Sequence, residues 1–70
     1  MTYKLQFHSL DYGPGPDLTY YGQSMPLIPR IGERVMANMF NKAGGMFVQD
    51  ITYEYKEDVI EVLVFMRMER

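Results

Sequence analysis

The sequence has no cysteine among its 70 residues and only one histidine. Without thiols the chain can form neither a disulfide framework nor a thiolate metal site, so its stability has to come from burial of apolar side chains. A hydrophobic content of 47%, with six tyrosines and four phenylalanines, supplies these side chains. A chain of this length forms one small domain.

A long apolar run and an excess of positive charge are also missing. No stretch approaches the roughly 20 apolar residues of a membrane-spanning helix, and the alternating start Met1 to Phe7 is unlike a signal peptide. The formal net charge is −2, divided into +1 over residues 1–45 and −3 over residues 46–70. We therefore expect a cytoplasmic protein with neither a membrane nor duplex nucleic acid as its partner.

The clearest structural signal is a β-hairpin in the last third of the chain. From residue 59 to 68 one alternate set of positions is apolar throughout, whereas the other set includes Glu61 and Arg67. Successive side chains of a strand point to opposite faces, so the pattern predicts one core face and one half-covered face. Residues 46–55 are the predicted partner strand, in which a bulge near Gln49-Asp50 lets both Val48 and Ile51 point inward.

Two more strands are predicted upstream of the hairpin. Residues 2–8 alternate between apolar and polar, which predicts a first strand that pairs with a strand of the hairpin. Residues 34–40 are interpreted as a strand entered through a tight turn, where Gly32 can take a positive φ. Two turns of helix over Glu33 to Asn41 are the alternative, because Met, Ala and Arg tolerate helices well.

The connection over residues 9–33 is long and rich in glycine and proline. Such a connection in a compact domain is usually functional or ordered by short strands, and Leu18 to Tyr21 is a candidate strand. Pro26 and Pro29 favour an edge strand or a polyproline-like ribbon over Met25 to Arg30.

Together these elements predict a single all-β domain over residues 1–70. The expected architecture is a four- to five-stranded antiparallel meander, or partly open barrel, with one long loop. Since the last strand carries apolar residues on both faces, we expect another copy of the chain to cover part of it in a homodimer or higher oligomer.

Part of the sequence resembles short all-β proteins of phages and bacteria in which a Pro-Arg-Val-Gly-Asp-x-Val turn precedes a two-stranded end. The residues that carry this similarity are Pro29-Arg30-Ile31-Gly32-Glu33-Arg34-Val35, Gly45-Met46-Phe47-Val48 and Asp50-Ile51-Thr52-Tyr53-Glu54-Tyr55. The Gly-Glu-x-Val step is also similar to the turn that opens strands in SH3-like small barrels. This resemblance implies a small accessory or inhibitor protein that acts by binding, and it carries over no catalytic residue.

The polar residues do not form an arrangement typical of catalysis. His8 and Ser9 point to opposite faces of an extended chain, so they cannot act as a base and nucleophile pair there. A metal site would have to draw on His8, Asp11 and Asp17, which are more simply interpreted as solvated side chains. We therefore expect no enzymatic activity, no metal and no cofactor.

The candidate binding residues are aromatic and basic side chains in the long loop and at its margins. They are Tyr12, Tyr20, Tyr21, Arg30 and Arg34, with His8 nearby. Tyrosine offers a flat ring with a polar end, and arginine offers a planar fork of donors for phosphate or carboxylate. Such a set can anchor a protein partner, bind a nucleotide by stacking and phosphate contacts, or simply divide between core and solvent.

Overall fold

The computed structural model describes residues 1–11, 16, 18–35 and 46–68. The strands in these ranges are β1 (Thr2–Ser9), β2 (Leu18–Gly22), β3 (Arg34–Val35), β4 (Met46–Tyr55) and β5 (Val59–Met68). They form one sheet in the order β2-β1-β5-β4-β3, which curls into a half-barrel. The predicted all-β class is confirmed, since no helix occurs in these ranges.

The sheet is mixed, so the predicted antiparallel meander is only partly right. β5 lies at the centre, parallel to β1 and antiparallel to β4. β1 does pair with a strand of the hairpin as predicted, and β2 returns antiparallel along its other side. A parallel pair needs a long crossover connection, and the chain between β1 and β5 is long enough to provide it.

The hydrophobic core covers one side of the sheet, which we call the core face. Its buried side chains are Leu5, Phe7, Met46, Val48, Ile60, Val62, Val64 and Met66. The strict alternation of buried and half-buried positions along β5 confirms the prediction of one core face and one half-covered face. The opposite side, the outer face, presents Lys4, Gln6 and His8 of β1 beside Glu61, Leu63 and Phe65 of β5.

The predicted bulge in β4 is confirmed. Val48 pairs with Met66 and Ile51 pairs with Val64, and the register shifts between Val48 and Asp50. The extra residue lets Val48 and Ile51 share the core face, and a bulge of this kind bends the strand that contains it.

Other boundaries differ from the sequence-based prediction. β1 extends one residue further, to Ser9, and the connection over residues 9–33 contains β2, which confirms a short strand there. Of the predicted strand over 34–40 the structure describes only Arg34–Val35, which is extended as predicted. The helical alternative over Glu33 to Asn41 lies outside the described residues from position 36 onward. No strand forms over residues 25–30, because Pro26 and Pro29 lack the N–H groups that a ladder requires.

Candidate binding surface

The proline-containing segment over residues 25–33 lies beside the core, and the end of its final turn is hydrogen-bonded to β4. Gly32 has a φ of 92°, and the Glu33 N–H donates to the carbonyl of Arg30 over 3.0 Å, as in a type II turn. The Gly32 N–H donates to the carbonyl of Val48, and the Val48 N–H donates to the carbonyl of Glu33. The predicted turn is confirmed, and it joins this segment to β4.

The two prolines place the residues between them in opposite environments. Ile28 packs against the buried core, whereas the neighbouring Leu27 is 95% exposed. Pro26 and Pro29 each have a fixed φ and restrict the residue before them, which holds this stretch extended. Leu27 is therefore presented to solvent by a backbone that has little freedom to withdraw it.

An open cavity of about 690 Å³ lies between this segment and β1, and we call it the Phe7 cavity. Its lining residues are Phe7, Leu27, Ile28, Pro29, Arg30, Glu33, Arg34 and Val35. Five of these eight side chains are apolar, and pockets that bind ligands are typically lined in this way with a few polar groups at the margin. The cavity therefore suits an apolar group better than a highly charged one.

The two charged side chains of the turn interact with each other. A carboxylate oxygen of Glu33 accepts the backbone N–H of Arg30, and the Arg30 Nη2 lies 3.9 Å from the other oxygen. Both side chains are exposed, so the ion pair itself adds little stability. Its consequence for the site is that the negative charge of Glu33 offsets the positive charge of Arg30 at the cavity margin.

Arg34 borders the cavity, but its guanidinium group lies over an aromatic ring. The guanidinium carbon is 5.2 Å from the centre of the Phe47 ring, which is within the range of a cation–π contact. Phe47 lies between the core-facing Met46 and Val48 in β4, so its side chain projects from the outer face. The charge of Arg34 is consequently directed away from the apolar wall of the cavity.

Of the two candidate tyrosines that the structure describes, Tyr20 is the one beside this cavity. It lies opposite Leu5 on the core face, and its ring meets the Phe7 ring edge to face with the centroids 6.2 Å apart. About half of its side chain remains exposed. Tyr20 thus supports the aromatic wall of the cavity from the neighbouring strand.

The structure separates Tyr21 and His8 from that cavity. Tyr21 lies opposite Lys4 on the outer face, with the ammonium group 5.8 Å from its ring centre. The His8 ring lies 5.1 Å from the Phe65 ring, and its Nε2 is 3.1 Å from the Gln6 amide oxygen, also on the outer face. Tyr12 lies outside the described residues. The predicted set is therefore divided between two faces of the sheet.

Several lining residues were not among the candidates from sequence, namely Phe7, Leu27, Ile28, Pro29, Glu33 and Val35. The only sequence signal for them is the pair of prolines around Leu27-Ile28, which predicts a stiff extended stretch. Nothing local indicates that Phe7, some 20 residues earlier, faces that stretch. The contact depends on how the sheet curls.

In the described ranges, no group of three or more His, Asp or Glu side chains is close enough to hold a metal ion. Asp11, one of the residues considered for such a site, instead accepts the backbone N–H of Met68 over 2.8 Å. In the same ranges no helix is long and apolar enough to cross a membrane.

Comparison with known proteins does not identify a relative. No protein-family model, curated protein or solved structure matches the chain. The function is therefore argued from the geometry of the binding surface.

Proposed function

We propose that this protein is a non-enzymatic binding module that docks a partner protein at the Phe7 cavity. The observation that carries the proposal is Leu27, a large apolar side chain left 95% exposed at the margin of an open, mainly apolar cavity. Ile31, in the adjacent turn, is also exposed. Exposed apolar side chains that are clustered rather than scattered typically mark interaction sites.

The geometry favours an apolar anchor of a protein partner over a phosphate group. Interfaces are commonly centred on a large side chain inserted into an apolar pocket and surrounded by a polar rim. Phe7, Ile28 and Val35 supply the apolar wall, and the Arg30–Glu33 pair supplies polar groups at the margin. The stiff proline segment reduces the conformational entropy lost when Leu27 is immobilised by a partner.

The resemblance of residues 27–65 to small phage and bacterial proteins supports an accessory or inhibitory role that is exercised by binding. We extend the proposal accordingly to a cytoplasmic phage accessory or inhibitor protein that acts as a homodimer or higher oligomer. Arg30 and Tyr20 remain at the margin of the proposed interface, whereas Tyr21, His8 and the guanidinium group of Arg34 lie on the outer face.

Site-specific photo-cross-linking tests the docking proposal. A benzophenone side chain at position 27 is compared with the same group at position 57, in the exposed turn between β4 and β5. We expect adducts with one heterologous protein from position 27 only, and loss of the adduct when Ile31→Asp is added. Equal labelling from both positions, or the absence of any cross-linked protein, would show that the cavity is not a docking site.

A nucleotide-binding oligomer is the alternative function, and the position of Arg30 at a cavity whose aromatic wall includes Phe7 favours it. A ligand that binds only the folded state raises the melting temperature. ATP and GTP are therefore tested by thermal unfolding of the wild-type chain and of Arg30→Ala. A rise that disappears in Arg30→Ala would support this alternative, whereas no rise with either nucleotide would exclude it for these two ligands.

A further inference from the structure

β4 has an edge that no described residue covers. β3 pairs only with Met46 and Phe47, and the turn over residues 30–33 adds hydrogen bonds to Val48 but none beyond it. From Thr52 to Tyr55 every side chain is exposed, including 75% of Tyr55. The second half of β4 thus forms an open sheet edge.

The hydrogen bonds of the hairpin show which backbone groups point towards this edge. The Lys56 N–H donates to the carbonyl of Val59 over 2.8 Å, so these two residues form a hydrogen-bonded pair. Pairs alternate along an antiparallel ladder, so the backbone groups of Ile51, Tyr53 and Tyr55 point away from β5. The Ile51 N–H is bound by the Asp50 carboxylate, which leaves those of Tyr53 and Tyr55 as the edge donors.

We propose that a second copy of this chain pairs with this edge, antiparallel, around a two-fold axis at Tyr53. In that register Tyr53 lies opposite Tyr53 of the partner subunit, and Ile51 lies opposite Tyr55 of the partner subunit. In each copy the N–H groups of Tyr53 and Tyr55 then donate to the carbonyls of Tyr53 and Ile51 of the partner subunit. The two half-barrels become one continuous sheet.

The side chains select this register by their charges. On the outer face it places Asp50 opposite Lys56 of the partner subunit, and Thr52 opposite Glu54 of the partner subunit. Moving the axis to Glu54 places the two Glu54 side chains opposite each other, and moving it to Thr52 places Asp50 opposite Glu54. Like charges directly opposite destabilise a sheet, so the axis at Tyr53 is favoured over these two neighbours. An axis at Tyr55 also avoids repulsion, but it would pair the turn beyond the end of β4 instead of the strand itself.

The core-facing side chains also fit this pairing. Tyr53 and Tyr55 lie on the core face yet remain exposed, because β3 ends before this half of β4 and no other described residue covers it. Tyrosine–tyrosine and tyrosine–isoleucine pairs across two strands are stabilising. A second copy therefore covers the aromatic side chains that one copy leaves open.

Two-fold pairing also has the advantage of closure. Joining β4 of one copy to β2 of the next would leave a new open edge at each step and would generate a fibre. Joining β4 to β4 uses the β4 edges of both copies in one event, so no third copy can add at β4. This inference concerns a surface separate from the Phe7 cavity; it rests on the oligomeric part of the proposed function and not on the docking of a partner protein.

Disulfide trapping tests the register, because the wild-type chain has no cysteine. At a two-fold axis the two Cα atoms of residue 53 would lie about 5.5 Å apart, within the range that a disulfide bridges. We expect Tyr53→Cys to form a covalent dimer on mild oxidation, and Tyr21→Cys, in the edge strand β2, to remain largely monomeric. Equal cross-linking of the two variants would overturn the proposal.

Sedimentation of variants without cysteine is a second test, which is needed because Tyr53→Cys could itself weaken the pairing. The wild-type chain is expected to sediment as a dimer at about micromolar concentration, and Tyr53→Pro as a folded monomer, because proline removes only an edge-pointing N–H. A monomeric wild type, or a dimeric Tyr53→Pro, would overturn the proposal. Leu27→Asp should leave the dimer unchanged, which distinguishes this test from that of the proposed function.

Discussion

Val48 and Ile51 face the same core although two residues separate them in β4. Regular alternation would place one of them on the outer face, and the bulge at Gln49-Asp50 prevents this. Both side chains are thereby kept on the side of Met66 and Val64, their partners in β5. The bulge also bends the strand, as the curl of the half-barrel requires.

Deletion of Gln49 is expected to preserve the fold, because it removes the extra residue and leaves Val48 and Ile51 in regular alternation. The loss of the bend should lower the free energy of unfolding by about 1–2 kcal/mol. Deletion of Thr52 is the control, since it moves Tyr53 and Tyr55 to the wrong face and should prevent folding. Urea denaturation of both variants checks this, and equal destabilisation would contradict it.

Met66→Ala and Met68→Ala compare the same substitution at two positions in β5. Met66 is fully buried, whereas Met68, two residues later on the same side of the strand, is 38% exposed. Removing a buried methionine loses transfer free energy and leaves a cavity, so we expect Met66→Ala to cost about 2–5 kcal/mol. Met68→Ala should cost less than half of that. Chemical denaturation measures both, and similar losses would contradict the assigned core.

Gly32→Ala tests the turn that joins the proline segment to β4. A Cβ at this position meets no atom within 4 Å, so the cost arises only from the φ of 92°. We expect a loss of about 1–2 kcal/mol. Gly22→Ala is the matched control, because its Cβ would make an ordinary 3.7 Å contact with the Ser24 carbonyl and its φ is not positive. An equal loss in both variants would argue against backbone strain at Gly32.

The ion pair between the exposed Lys56 and the largely covered Glu61 should make stability depend on pH. The hydrogen bond from Lys56 lowers the pKa of Glu61, and the same bond raises the pKa of Lys56. Glu61 therefore contributes its full share to the free energy of unfolding above its ordinary pKa of about 4.3. This contribution is lost as the pH falls through the lower pKa that Glu61 has in the folded protein. Lys56 contributes its full share to the free energy of unfolding below its ordinary pKa of about 10.4. This contribution is lost as the pH rises through the higher pKa that Lys56 has in the folded protein.

Unfolding curves of the wild type and Lys56→Gln between acidic and neutral pH measure the contribution of Glu61. The difference between the two proteins should shrink as the pH falls and as salt is added, because salt screens exposed charges. Glu57→Gln is the control, since this neighbouring carboxylate belongs to no ion pair among the described residues. A difference that is independent of pH would show that the pair does not contribute through charge.

The candidate site was only partly predictable from the sequence. Arg30 and Arg34 were expected to act together, and both border the Phe7 cavity, but the ring of Phe47 holds the guanidinium group of Arg34 on the outer face. Tyr20 and Tyr21 are adjacent, so the alternation of a strand necessarily divides them. Which of the two lies beside the cavity depends on the register of β2 against β1, and no local pattern specifies that register.

The sequence by itself determined the C-terminal hairpin, its bulge and the turn at Gly32, because these depend on alternation, spacing and backbone freedom over a few residues. Only the tertiary structure decided that β1 joins β5 in parallel and that Phe7 meets the proline segment. These contacts join residues far apart in the chain, where many pairings would satisfy the same apolar pattern. The choice among them depends on which pairing curls the sheet so that one face is buried, a property of all the strands together.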